Sequence, residues 1–320
     1  MSNSPFKFVT PILVATLAST APAVAEDYPA RTVTLVVPYP AGGGVDTVGR
    51  VIAQKLTAAL GQQVVVENRP GAGAVIGVRS AAKAAPDGYT LVMLVTGMGL
   101  SPNAGYDLSK DFAPIGTIAS IPIVVMSHPS VPVKSIKDVI ELAKKEPGKL
   151  TVGTPPSPTL NYFGAENFKA TTGTDITIVT YKGTGPLTND LMGGHVMLAF
   201  NTLPPAIGNI QAGKLNAIAV AAPERLAAIP DVPTVSQSGL PGFDIVQYYG
   251  LAAPAGTPAP VVARLNKELR AIVTSDDFKK RIVADGGGPM AGTPEDYAAN
   301  IAREEGKWDA IVSKLGLKVE

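Results

Sequence analysis

Thr32-Val-Thr-Leu-Val-Val-Pro-Tyr-Pro-Ala-Gly-Gly-Gly-Val-Asp46 decides the fold. An apolar run of strand length breaks at a Pro/Gly turn, and a helical pattern begins within the same few residues. Consecutive glycines let backbone N–H groups come close to a ligand, and the N-terminus of the following helix favours negative charge. The stretch predicts a cradle for a small anion.

Upstream of it lies an export signal. Lys7 gives a basic start, residues 8–21 are apolar, and Ala23 and Ala25 put small residues where a signal peptidase reads, so cleavage is expected before Glu26. That apolar run is shorter than the roughly 18–20 residues needed to span a bilayer, and no later run reaches that length without Pro or charge. The chain has no Cys, which rules out a lipid anchor at the cleavage site and any disulfide. Once Lys7 is removed, basic and acidic residues are equal in number, so neither nucleic acid nor an anionic membrane is attracted in bulk. A processed chain of about 295 residues is near the size at which one core becomes two. Two lobes are expected: 26–125 with 250–320, and 126–249.

Downstream, strand-length apolar runs alternate with helical patterns, which argues for parallel sheets covered by helices. Strands are predicted at 33–37, 64–66 and 90–94, with a helix between the first two on whose face Val48, Val51, Ile52 and Leu56 align. Asp46 reads as the N-cap of that helix and Gly61 as its end; contact of Asp46 with ligand is the second reading. A further unit opens with Ser135 and Asp138 in a capping-box spacing, stops at Pro147-Gly148, and continues through strands at 150–153, 176–180, 196–200 and 217–220. Helices dominate 261–315. Apolar segments at 121–126 and 245–251 sit where the chain could cross between lobes, so a central cleft with two crossings is expected.

An enzyme finds little support in these residues. His128 and His195 are the only histidines, and neither lies in a nucleophile or metal motif. Gly71-Ala-Gly73-Ala-Val-Ile-Gly77 follows a strand and enters a helix, but its spacing is one residue longer than a dinucleotide fingerprint and Asn68-Arg-Pro70 loosens the turn. Close helix–strand packing, plus a supporting wall of the cleft, is the better reading, and no cofactor is expected. Trp308, in phase with Ile301, Ile311 and Leu315, reads as core, and Arg303-Glu-Glu305 as a solvated helix face.

The phrases Tyr28-Pro-Ala-Arg31, Val36-Val-Pro-Tyr-Pro-Ala-Gly-Gly-Gly44, Val66-Glu-Asn-Arg-Pro-Gly-Ala-Gly73 and Pro86-Asp-Gly-Tyr-Thr-Leu91 resemble the Bug family. These are periplasmic solute-binding proteins of tripartite tricarboxylate transporters. Tyr181-Lys-Gly183, Asp190-Leu-Met-Gly-Gly194, Pro230-Asp-Val-Pro-Thr234 after Arg225, Gly239-Leu-Pro-Gly242, and Ala253-Pro-Ala-Gly-Thr-Pro258 extend the resemblance in order along the chain.

It implies an α/β, type II periplasmic-binding-protein-like fold, with two doubly wound lobes closing on a small carboxylate held by amides and short polar side chains. Carried onto this chain, the first lobe would contribute Tyr39, Ala41, Gly42, Gly43, Gly44, Asp46, Thr96 and Gly97. The second would contribute Thr154, Ser157, Thr159, Lys182, Gly183 and Thr184. Ligands of open α/β sheets sit beyond the carboxyl ends of the strands, where each of these loops falls. The implied partners are a small organic carboxylate and membrane permease subunits, with no nucleic acid; a periplasmic monomer is expected. A sensor or scavenger without a permease is the alternative.

Some positions depart from the family pattern. Tyr162 stands where His is usual, Asn201 where Asp is frequent, and Tyr248 where Trp is common, while Pro155 and Pro156 stiffen the second-lobe loop. Strand alternation sends Tyr248 and Tyr249 to opposite faces, and the match to the Trp position selects Tyr248 for the cleft. An amide in place of a carboxylate near the cleft disfavours an amino group on the ligand. A dicarboxylate or aromatic carboxylate is therefore expected rather than an amino acid; the alternative reading is that these exchanges lie behind the contact residues and are neutral.

Overall fold

The computed structural model describes residues 28–317 and Val319. The expected export segment, residues 1–25, and its cleavage point lie outside them. In chain order the elements are β1 (Val33–Val37), α1 (Gly44–Leu60), β2 (Val64–Asn68), α2 (Val75–Ala82), β3 (Thr90–Val95), β4 (Phe112–Ser127) and α3 (Ile136–Lys145). Then come β5 (Thr151–Thr154), α4 (Leu160–Thr172), β6 (Thr177–Thr180), α5 (Thr184–Met192), β7 (Leu198–Thr202), α6 (Ile207–Gln211) and β8 (Asn216–Ala221). The chain ends with β9 (Val246–Pro254), α7 (Ala259–Thr274), α8 (Asp276–Ala284), β10 (Gly288–Pro289) and α9 (Pro294–Leu315).

Both sheets are mixed rather than parallel throughout. β1 runs parallel to β2 and β3, and β5 parallel to β6 and β7, as βαβ crossovers require. The strands that link the two halves run antiparallel to their neighbours: β9 to β3 and β4, and β4 to β7 and β8. β4 belongs to both sheets. Its first part pairs with β9 from Phe112↔Pro254 to Pro122↔Val246, and from Ile123 onward it pairs with β7 and β8. The return passes beside it, where Ile123 donates to the Ile245 carbonyl at 3.0 Å.

The cores follow from the same geometry. On α1, Val48, Ile52 and Leu56 are buried at helical spacing and join Leu35, Leu91 and Leu251 in the first core. In the second sheet alternate β4 residues face opposite sides. Ile123 and Val125 pack with Phe163, Phe168 and Phe200, whereas Val124 and Met126 pack with Leu187 and Leu191. A fully buried side chain of this size contributes about 1.5–3 kcal/mol.

The last helix ties the halves together. Tyr297, near its start, is buried in the first core, whereas Trp308 and Val312 are buried in the second. Trp308 is a core residue as its phase predicts, but the core it enters is built by residues of 126–249, so the grouping of 250–320 with the first lobe does not describe this end of α9. The expected solvated face at Arg303-Glu-Glu305 is not one. Only Arg303 is exposed; Glu304 is buried against it, and the Glu305 Oε1 accepts from the Gly97 N–H at 2.8 Å. Helical phase, two positions past Arg303, turns Glu305 inward.

Candidate functional site

Most long helices here begin with a side-chain cap. Ser135, Thr159, Ser275 and Thr293 each accept an amide of the first turn of α3, α4, α8 and α9. α1 and α5 do not. Their N-caps are Gly43 and Gly183, which have no side chain to give. These two uncapped ends meet. A Cβ built on Gly43 would come 2.8 Å from Thr184 Oγ1, one on Gly183 would come 3.0 Å from Pro40, and the Gly44 N–H donates to Thr184 Oγ1 at 3.1 Å. First-turn amides lack intrahelical partners, so two positive helix ends converge on one point between the lobes.

A small cavity of about 20 Å³ lies there, with Tyr39, Gly43, Val45 and Val95 on one side, Pro155, Thr159, Asn161 and Thr184 on the other, and Gln247 and Tyr249 from β9. None of its lining residues is charged. Burial raises the hydroxyls of Tyr39 and Tyr249 above the usual tyrosine range, so both stay neutral hydrogen-bonding groups. A buried relay supports the wall: Tyr249 donates to Gln247 Oε1 at 3.2 Å, Gln247 Nε2 to Asn161 Oδ1 at 2.7 Å, and Asn161 Nδ2 to the Phe200 carbonyl at 2.9 Å. The arrangement can hold a small anion by neutral donors. Among the described residues no group of His, Asp and Glu could hold a metal ion.

The structure places the expected site residues in distinct layers. Tyr39, Gly43, Thr159 and Thr184 line the cavity. Ala41, Gly42 and Gly44 complete the turn around it, and the Gly42–Ala41 backbone packs on Gly185. Gly183 buttresses Pro40, and Thr154, fully buried, lies behind with its carbonyl accepting from Tyr181. Ser157 and Lys182 line a larger neighbouring chamber.

Other positions need correction. Asp46 is neither N-cap nor cavity wall: it is the third residue of α1, and its carboxylate accepts from Gly42 N–H and Arg50 Nε, both at 2.9 Å, and from Asn68 Nδ2 at 2.8 Å. Burial disfavours its charge, but the hydrogen bonds from Arg50, Gly42 and Asn68 outweigh that and hold the carboxyl below its usual range. It shapes the loop. Thr96 bonds to the Tyr248 backbone and Gly97 N–H to Glu305, because the turn after β3 faces α9. Tyr162 packs edge-on against Phe163, since the first turn of α4 aims Asn161 inward instead. Asn201 is fully buried beneath α5, donating to Thr188 Oγ1 at 2.9 Å, so it supports the Thr184 turn from below.

Tyr248 and Tyr249 do face opposite ways, but the choice between them is reversed. Gln247 and Tyr249 share the cavity face, while Tyr248 lies on the other side of β9, where the Arg303 guanidinium sits 6.0 Å from its ring centre. Sequence reading missed Asn161 and Gln247. Gln247 carried a signal, a lone amide in the apolar run of the return strand; Asn161, beside an N-cap, did not.

The Gly71–Gly77 run packs closely, and its first four residues also line the neighbouring chamber. Gly77 lies against Pro38 and the Arg69 carbonyl, and a Cβ on Gly73 would come 2.6 Å from the Ser157 carbonyl.

The profile of the tripartite tricarboxylate transporter family receptor matches residues 48–317. BugT of Bordetella pertussis is 33% identical over 315 residues, which are 97% of each chain. A solved R. palustris protein, Rpa4515 with adipate, is 33% identical, with a TM-score of 0.88 over 91% of this chain and 99% of its own. MatC from Rhodopseudomonas palustris with bound malate is 32% identical, with a TM-score of 0.84 over 89% and 100%.

Proposed function

This chain belongs to the tripartite tricarboxylate transporter receptor family, and from that premise we propose that it captures a small organic carboxylate between its lobes and presents it to membrane permease subunits. The observation that carries the reading is the meeting of the two uncapped helix ends, α1 and α5, at a cavity without charged walls. A carboxylate there receives amides and dipoles from both lobes, so it favours the closed arrangement in which they touch. Neutral donors also permit release, which a fully buried ion pair would oppose.

The protein works in the periplasm after export through residues 1–25, with 26–125 and the start of 250–320 as one lobe, 126–249 as the other, and α9 clasping both. It binds without performing chemistry on its ligand. Dicarboxylates are favoured. The Asn201 argument for them weakens, because that amide lies under the cavity rather than on it, but adipate and malate in the solved relatives belong to this class.

A thermal-shift screen of the chain from Glu26 tests the reading. At a hundred times its dissociation constant a ligand adds about 2.7 kcal/mol of stability. Dicarboxylates should raise Tm while amino acids and nicotinamide nucleotides do not. A shift with nucleotides and none with any acid would overturn it.

A further inference from the structure

The cavity at the helix ends holds about 20 Å³, room for one water-sized group such as a carboxylate oxygen. No ligand body fits there. Beside it, sharing Tyr39 and Pro40, opens a chamber of about 560 Å³, within the range that holds small organic ligands. Its walls come from both lobes: Pro70, Ala72 and Ala74 on one side, Pro156 and Ser157 on the other, with Lys182 at the exposed rim. Ala72 and Ala74 are held at φ 47° and 91°, a conformation that L side chains rarely adopt, so this wall is fixed by its surroundings.

The chemistry of the walls is selective. Proline offers no N–H, and alanine side chains offer no polar atom. Ser157 Oγ, buried without a hydrogen-bond partner, and the Tyr39 hydroxyl are the side-chain hydroxyls of this lining. A ligand body carrying several hydroxyls would lose water there and find too few partners. Lys182 supplies the one charged side chain of the lining, and among the described residues it forms no ion pair.

We propose that this chamber receives the apolar body of an elongated dicarboxylate, whose first carboxylate sits at the α1 and α5 ends and whose far carboxylate meets Lys182. The inference rests on the carboxylate reading above and specifies its substrate: an unhydroxylated linear or aromatic diacid.

Calorimetry with matched acids tests it. Adipate, hexanoate and galactarate share a chain length but differ in the second carboxylate and in hydroxylation; terephthalate and benzoate repeat the first contrast on a ring. Adipate or terephthalate should bind roughly tenfold or more tighter than its monoacid and than galactarate, the scale of one charge-assisted hydrogen bond. Lys182→Gln, at an exposed position, should erase the diacid advantage, bringing adipate within about twofold of hexanoate in that variant. Galactarate binding as tightly as adipate, or an unchanged diacid advantage in Lys182→Gln, overturns the chamber assignment while leaving carboxylate capture intact. Silence from every acid overturns both.

Discussion

The starts of α1 and α5 at the cleft and the starts of α3, α8 and α9 away from it are built oppositely. Away from it three helix starts are closed by side chains of the protein itself, Ser135 on α3, Ser275 on α8, and Thr293 with Asp296 on α9, the last a full capping box, while α7 starts on Pro258 without one. Glu305 likewise closes the turn after β3, accepting from the Gly97 N–H at 2.8 Å. At the cleft α1 and α5 start with bare glycines. At α1 and α5 that completion is left to the proposed ligand.

The largest expected effect breaks the open pair. Gly43 has φ −84°, which any residue tolerates, so Gly43→Val should leave the fold intact, yet its Cβ would stand 2.8 Å from Thr184 Oγ1 and block closure. Carboxylate affinity should fall about a hundredfold, equivalent to about 2.7 kcal/mol, with Tm in the absence of ligand little changed. Retained affinity by calorimetry would remove the convergent helix ends from the mechanism.

Next is Asp46, which serves the cleft loop from within. Asp46→Asn should cost about 2 kcal/mol at pH 7, the scale of buried hydrogen bonds to a charged group. Its folded carboxyl titrates below the ordinary value, so the wild-type advantage is complete above about pH 4 and lost as pH falls through the folded value. Urea melts of both proteins from pH 3 to pH 7 would measure the convergence.

Glu305 sharpens the contrast between self-made and ligand-made anions. Burial, the leading cause, pushes its carboxyl up to about 7 despite the amides of Gly97 and Gly99. The folded state therefore holds a proton that the unfolded chain has released, and stability declines as pH rises from about 4.5 through about 7. Glu305→Gln should flatten that decline and be more stable than wild type by about 1–2 kcal/mol at pH 8, a discounted fraction of the shift. A pH series of thermal melts in which the two proteins fall in parallel would contradict it.

The smallest effect comes from a closed end. Thr293→Ala should cost about 1 kcal/mol of stability and leave carboxylate affinity unchanged. An affinity change there would mean that α9, which clasps both cores, is coupled to closure.

How far the sequence could be read depends on the range of the interactions. The strand–turn–helix at Thr32–Asp46, the end of α1 at Gly61, and the Ser135 cap were legible because each depends on neighbours a few residues apart. Tyr39, Gly43, Thr159 and Thr184 were legible as cavity residues for the same reason, lying in loops after strands or at helix starts. Thr96, Gly97 and Asn201 were misplaced because β9, α9 and α5 respectively pack against them and take their hydrogen-bonding capacity.

By itself the sequence determined the alternation of strands and helices, the glycine-started helices and the opposite orientation of Tyr248 and Tyr249, since backbone sterics and side-chain period are local. Only the tertiary structure decided that Tyr249 rather than Tyr248 reaches the cleft, that Asn161 and Gln247 join at the cavity, and that α9 ends in the second core. Those outcomes depend on which face of β9 meets which sheet, and that is set by burying apolar surface between segments far apart in the chain.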